Sequence, residues 1–89
     1  MARYTQKTFR NAVGKRLRAL RLEAGISSQE KLANRAGVHR TYIGRLERGE
    51  SGVTIEMLAA ILSAMGKTLA EFSAPFDKPV APPTPRRRA

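Results

Sequence analysis

The stretch Ser28–Gly49, SQEKLANRAGVHRTYIGRLERG, decides the fold. It reads as a short helix, a tight turn and a second short helix. Leu32, Ala33 and Ala36 recur at helical spacing and stop at Gly37; Val38, Ile43 and Leu46 follow and end at Gly49. This spacing lets the two helices cross and share one core. Ala33 is small where the second helix crosses close to it. Gly37 suits a turn position at positive φ, where a Cβ would be penalised.

Working outward, three more helices are predicted, with no two-residue alternation anywhere, so the chain reads as all-α with five short helices. Before the pair, Phe9, Val13, Leu17, Leu20 and Ala24 form one helical stripe, with Arg10, Arg18 and Arg21 off it, Thr8 as N-cap and Gly25 as stop. After it, a fourth helix starts at Thr54, turns Ile55, Leu58, Ala59, Leu62 and Met65 inward and ends at Gly66. Thr68 and Glu71 have capping-box spacing for a fifth, carrying Leu69 and Phe72. All five prolines lie in PFDKPVAPPTPRRRA, which predicts extended, mobile chain. The expected organisation is a basic arm over 1–7, a folded domain over 8–76 and a Pro/Arg-rich disordered tail over 77–89. Arg86, Arg87 and Arg88 in that tail either attract phosphate or are merely solvated.

Composition narrows the function. The chain has 89 residues, which allows one small domain with a marginal core and makes a symmetric partner a reasonable expectation. It has no cysteine and one histidine, so disulfide frameworks and thiolate or two-imidazole metal sites are excluded, and no cofactor is expected. His39 has no partner for a catalytic relay, and nothing supports an enzyme. No apolar run approaches membrane-spanning length and MARYTQKTFR has no apolar leader core, so the expected compartment is the cytoplasm, with no membrane partner. Net charge is +10, distributed as +9 over residues 1–48, −3 over 49–77 and +4 over 78–89. Such a distribution reads either as a polyanion face, for nucleic acid or a membrane surface, beside a separate face for another contact, or as a merely solvated surface.

The helix, turn and helix of residues 28–49 follow the logic in which one helix braces against DNA and the next enters the major groove. From about Val13 to Phe72 the chain resembles the XRE or lambda-repressor-like helix-turn-helix family, whose pattern runs G-x-S-Q-x-x-L-A, A-G-V, R-x-x-I and E-R-G. The R-T-Y-I and E-R-G strings are also similar to controller proteins of restriction-modification systems. Three departures stand out. Ser27 and Ser28 occupy a place where relatives have one serine; Ser27 has capping-box spacing to Glu30, Ser28 fits the family's cap, and either could start the helix. His39 stands where relatives have a better cap, and the Glu50–Ser51–Gly52 loop lacks the basic residue some relatives carry.

The resemblance implies a double-stranded DNA reader. Arg40, in the first turn of the second helix of the pair, is expected to pair with guanine, a contact worth about 1–3 kcal/mol of discrimination. Thr41 and Gly44 share its face, Thr41 offering a hydroxyl or methyl and Gly44 a close backbone approach, while Arg45 reaches bases or phosphate. Gln29 is expected to touch phosphate and buttress the reading helix. Lys15 and Arg18 supply phosphate attraction, and Tyr42 either lies on the sugar-phosphate surface or packs inward. Thr54 is first a cap, at a helix start that also suits a phosphate. Arg21 and Glu47 are implied to form a structural ion pair. Leu69, Phe72 and Phe76 exceed what so small a core needs and are expected at a homodimer interface. The function expected is a homodimeric transcription regulator, autoregulatory, on a pseudo-palindromic operator. The alternative is an antitoxin binding its own promoter and a toxin partner. Contact with RNA polymerase stays open, and a charge-only nucleic-acid binder is a third reading.

Overall fold

The computed structural model describes residues 3–82; Arg86, Arg87 and Arg88 lie outside the described residues. Five helices follow in order: α1 (Gln6–Glu23), α2 (Gln29–Ala36), α3 (Arg40–Glu47), α4 (Ile55–Ala64) and α5 (Leu69–Ser73). No helix among the described residues is long and apolar enough to cross a membrane.

Every helix start is capped by a side chain. α1 begins earlier than the apolar stripe predicts, because Thr5 and Thr8 cap each other's amides: the Thr8 amide donates to the Thr5 hydroxyl at 3.0 Å and the Thr5 amide to the Thr8 hydroxyl at 2.7 Å. Thr8 is therefore the third helical residue of a capping box, not the cap. Of the two serines before α2, Ser28 is the cap, accepting from the Lys31 amide at 3.1 Å, while the Ser27 hydroxyl accepts from the Lys31 ammonium at 3.2 Å. His39, despite its ring, caps α3 through Nδ1, which accepts from the Thr41 amide at 3.0 Å. Thr54 caps α4, and Thr68 with Glu71 forms the capping box of α5. Gly37 ends α2 at φ 74°, the left-handed conformation that fits the tight turn into α3.

The core is built from Leu17 and Leu20 of α1, Leu32 and Ala33 of α2, Ile43 and Leu46 of α3, and Leu58, Ile61 and Leu62 of α4 with its C-cap Met65, and Ile26 lies between α1 and α2. The inward face of α4 differs from the spacing prediction: Ile61 is fully buried, whereas Ile55 is 61% exposed and Ala59 also faces outward. Ile55 lies in the first turn, beyond the edge of the core, and Ala59 is rotated about 100° from Leu58, off the 58–61–62–65 stripe.

α1 and α3 touch backbone to backbone. Gly14 is buried there, and a Cβ built on it would sit 2.5 Å from the Glu47 carbonyl oxygen, 2.8 Å from its carbonyl carbon and against the Leu46 carbonyl oxygen. Only glycine fits that crossing. At its other face α1 holds α5, because Arg16 donates to the carbonyls of Glu71 (2.6 Å) and Phe72 (3.2 Å), satisfying acceptors at the end of a short helix.

Among the described residues the chain after Ala74 is not helical, as its prolines require, and residues 79–81 are tied to Tyr4. The Tyr4 amide donates to the Pro79 carbonyl at 2.9 Å, the Ala81 amide donates to the Tyr4 carbonyl at 2.6 Å, and the pairing with Val80 is parallel. Beneath this clasp Phe9 and Phe76 meet edge to face with centroids 5.6 Å apart, Tyr4 meets Phe9 at 5.5 Å, and Phe76 meets Phe72 at 5.2 Å. The Lys78 ammonium stands 5.5 Å from the Tyr4 ring centre. This aromatic cluster corrects the interface expectation: Phe72 is 5% exposed and belongs to the core of the single chain, and Phe76 is half-buried against it. The sequence reading missed the cover that Tyr4 and Phe9 provide.

Candidate nucleic-acid interface

The site is organised by one buried carboxylate. Glu47, at the last turn of α3, accepts from Arg21 Nε at 2.7 Å on Oε2 and from Arg21 Nη2 at 3.0 Å on Oε1. A third donor, Gln29 Nε2, reaches Oε1 at 3.1 Å, and Arg21 Nη1 donates to the Ile26 carbonyl at 3.0 Å. Two parallel bonds to a guanidinium, plus an amide, satisfy a carboxylate that is almost wholly out of water. The network ties α1, the α1–α2 turn, the start of α2 and the end of α3 into one body. Gln29 thus ties the start of α2 to the end of α3.

With α3 held this way, three of its side chains stand free. Arg40, Thr41 and Arg45 are exposed, and Arg40 makes only a loose 3.8 Å contact with Glu30 while keeping 67% of its side chain exposed. Tyr42 is half-buried and packs against the core, the inward of its two readings. Gly44 departs from expectation. It is buried, and a Cβ there would lie 3.0 Å from Arg48 Nη1 and 3.2 Å from Gln29 Oε1. The absent side chain leaves room for those two neighbours.

Beside α3 a shallow groove is lined by Asn11, Lys15, Arg18, Glu47 and Arg48. Lys15 and Arg18 are exposed along it, so two cations of α1 open next to α3. Thr54 is exposed at the start of α4, its hydroxyl engaged by the Met57 amide at 3.1 Å. Arg48 is a residue the sequence reading left out. Its side chain covers Gly44 and lines the groove, and its signal was the arginine of E-R-G itself. Arg48 is paired with Glu50, Nε to Oε2 at 2.8 Å and Nη2 to Oε1 at 3.2 Å.

A separate apolar groove is lined by Phe9, Val13, Val53, Ile55, Leu58, Leu69, Phe72 and Ser73. Leu69, 42% exposed, and Ile55 stand on its rim; of the three residues expected at an interface, Leu69 remains most available.

Comparison with known proteins agrees with this geometry. Residues 17–72 match the helix-turn-helix family. The control protein C.BamHI of Bacillus amyloliquefaciens is 40% identical over 63 residues, 67% of this chain and 78% of that one. The restriction-modification controller protein C.AhdI from Aeromonas hydrophila superposes with a TM-score of 0.68 at 34% identity, covering 72% of this chain and 96% of the other. The clp gene regulator ClgR from C. glutamicum superposes at 0.67 with 35% identity, over 71% of this chain and 80% of its own.

Proposed function

The chain belongs to the helix-turn-helix family, and from that premise we propose that it is a sequence-specific double-stranded DNA-binding transcription regulator acting as a homodimer on a pseudo-palindromic operator. The observation that carries this reading is the exposed trio Arg40, Thr41 and Arg45 on a helix whose pose is fixed by the buried Arg21–Glu47–Gln29 network. A helix enters the major groove by its first turns, where Arg40 and Thr41 meet base edges and Arg45, one turn on, meets bases or phosphate. Lys15 and Arg18 supply the sequence-independent attraction that falls steeply with salt.

Site selection from a random duplex library at about 150 mM salt tests the reading. Wild type enriches a short inverted repeat with half-sites about 34 Å apart. Arg40→Ala enriches a repeat degraded at one symmetric position, with discrimination there reduced by about 1–3 kcal/mol. Enrichment of no motif by either protein sinks the sequence-specific regulator and favours an antitoxin that needs its partner, or a charge-only binder.

For the homodimer, the support is Leu69 with Ile55 on the rim of the apolar groove, surface that a lone domain leaves in water. Leu69→Glu is expected to leave the helical circular dichroism of the domain unchanged and to shift sedimentation from dimer to monomer, with the concentration dependence of Tm lost. Binding to the selected inverted repeat weakens with it. A variant that stays dimeric removes Leu69 from the interface.

A further inference from the structure

The tight Arg48–Glu50 pair stands between the two basic features of the interface. Arg48 covers Gly44 on α3 and also lines the groove that exposes Lys15 and Arg18. The Glu50 amide donates to the Arg45 carbonyl at 2.9 Å, which holds the Glu50 main chain beside the end of α3 and its carboxylate within reach of Arg48. Both side chains are more than half exposed, and solvent or an incoming anion reaches them freely. The hydrogen bond from Arg48, with the smaller attraction of the Arg48 and Arg45 charges, holds the Glu50 carboxyl below its usual value of 4.5 against a modest desolvation. Glu50 is therefore an anion at neutral pH, placed where the rest of the surface invites phosphate.

Resting on the DNA-binding reading, we infer that Arg48 is a phosphate-binding residue whose availability is set by Glu50, an internal counterion that a DNA phosphate must displace. A guanidinium held by two carboxylate bonds offers a phosphate only an exchange of partners, whereas a free one offers a new contact. Glu50 thereby lowers the affinity of the chain for any duplex and flattens its salt dependence. Its action runs through Arg48, which makes it a positioning residue rather than a contact.

The test is a double-mutant cycle on the full chain with Glu50→Gln, Arg48→Ala and the two together. Dissociation constants are measured against a scrambled duplex of about two helical turns, roughly 20 base pairs, over a range of salt. Glu50→Gln is expected to tighten binding roughly threefold to tenfold near 150 mM salt and to steepen the slope of log K against log salt by about 0.9, the signature of one more neutralised phosphate. In the Arg48→Ala background the same change is expected to lose most of that gain, while thermal unfolding of all three variants stays close to wild type. A gain that persists in full without Arg48 makes Glu50 a general repulsive charge and overturns the inference, as does no gain from Glu50→Gln. Wild type failing to bind the duplex at any salt overturns the DNA-binding reading itself, and this inference with it.

Discussion

Gly14→Ala is expected to cost about 3 kcal/mol of stability and roughly 12–24 °C in Tm for a domain of this size. On helix propensity alone the change should help, by about 1 kcal/mol, since glycine inside a helix is the poorer former. The geometry decides the other way. The added methyl would meet the Glu47 carbonyl oxygen at 2.5 Å and its carbonyl carbon at 2.8 Å, with the Leu46 carbonyl closer still. All three are main-chain atoms, so no rotamer change relieves the overlap. α1 and α3 have to move apart, and with them go the core to which both contribute, Leu17 and Leu46 included, and the alignment of Arg21 with Glu47. Thermal unfolding followed by circular dichroism gives the answer. An unchanged or raised Tm would mean that the close crossing at Gly14 does not exist.

Glu47→Ala should be comparably severe, at about 3–5 kcal/mol, because it leaves a buried guanidinium without its counterion. Arg21 is 4% exposed and spends two of its donors on Glu47, and Gln29 loses its acceptor in the same step. Against a total stability of roughly 5–13 kcal/mol for a chain of this length, that is a large fraction. Arg21→Leu alone should be destabilising too, since it strands the carboxylate. The double variant Arg21→Leu, Glu47→Ala is expected to lose far less than the two single losses combined, since no unpaired charge remains in the core. Denaturant unfolding of the three proteins measures this. Single-variant losses under about 1 kcal/mol, or strictly additive ones, would show that the pair is not closed in solution.

The helices were legible because their signals are local, as were the caps Thr54 and Thr68, whereas Thr5 rather than Thr8 caps α1 and the choice between Ser27 and Ser28 stayed open in the sequence. Ser28, Thr54 and Thr68 each sit at the foot of an apolar stripe, and capping is decided within three residues of sequence. The ion pair of Arg21 with Glu47 was reached through resemblance; spacing alone does not join residues 26 positions apart. Gly14 was invisible, because a glycine within a helical stripe reads as a mild liability until the backbone that crosses it is known. Gly44 misled for the same reason in reverse: its lack of a side chain was assigned to DNA, whereas Arg48 and Gln29 of the same chain fill the space. Phe76 looked like surplus apolar surface because its cover comes from Tyr4 and Phe9, at the far end of the sequence, and Phe72 in turn packs on Phe76. The prolines were read for what they forbid, a helix, and not for the extended backbone they permit, which is what lets residues 79–81 lie alongside Tyr4.

That pairing gives the domain a mechanical character. Tyr4 and Val80 run parallel, so when the chain is stretched between its ends the two segments are drawn past each other in opposite directions. The hydrogen bonds from Tyr4 to Pro79 and from Ala81 to Tyr4 then carry the load in shear and share it, rather than peeling one after the other. The helices behind them feel no tension until this fastening has given way.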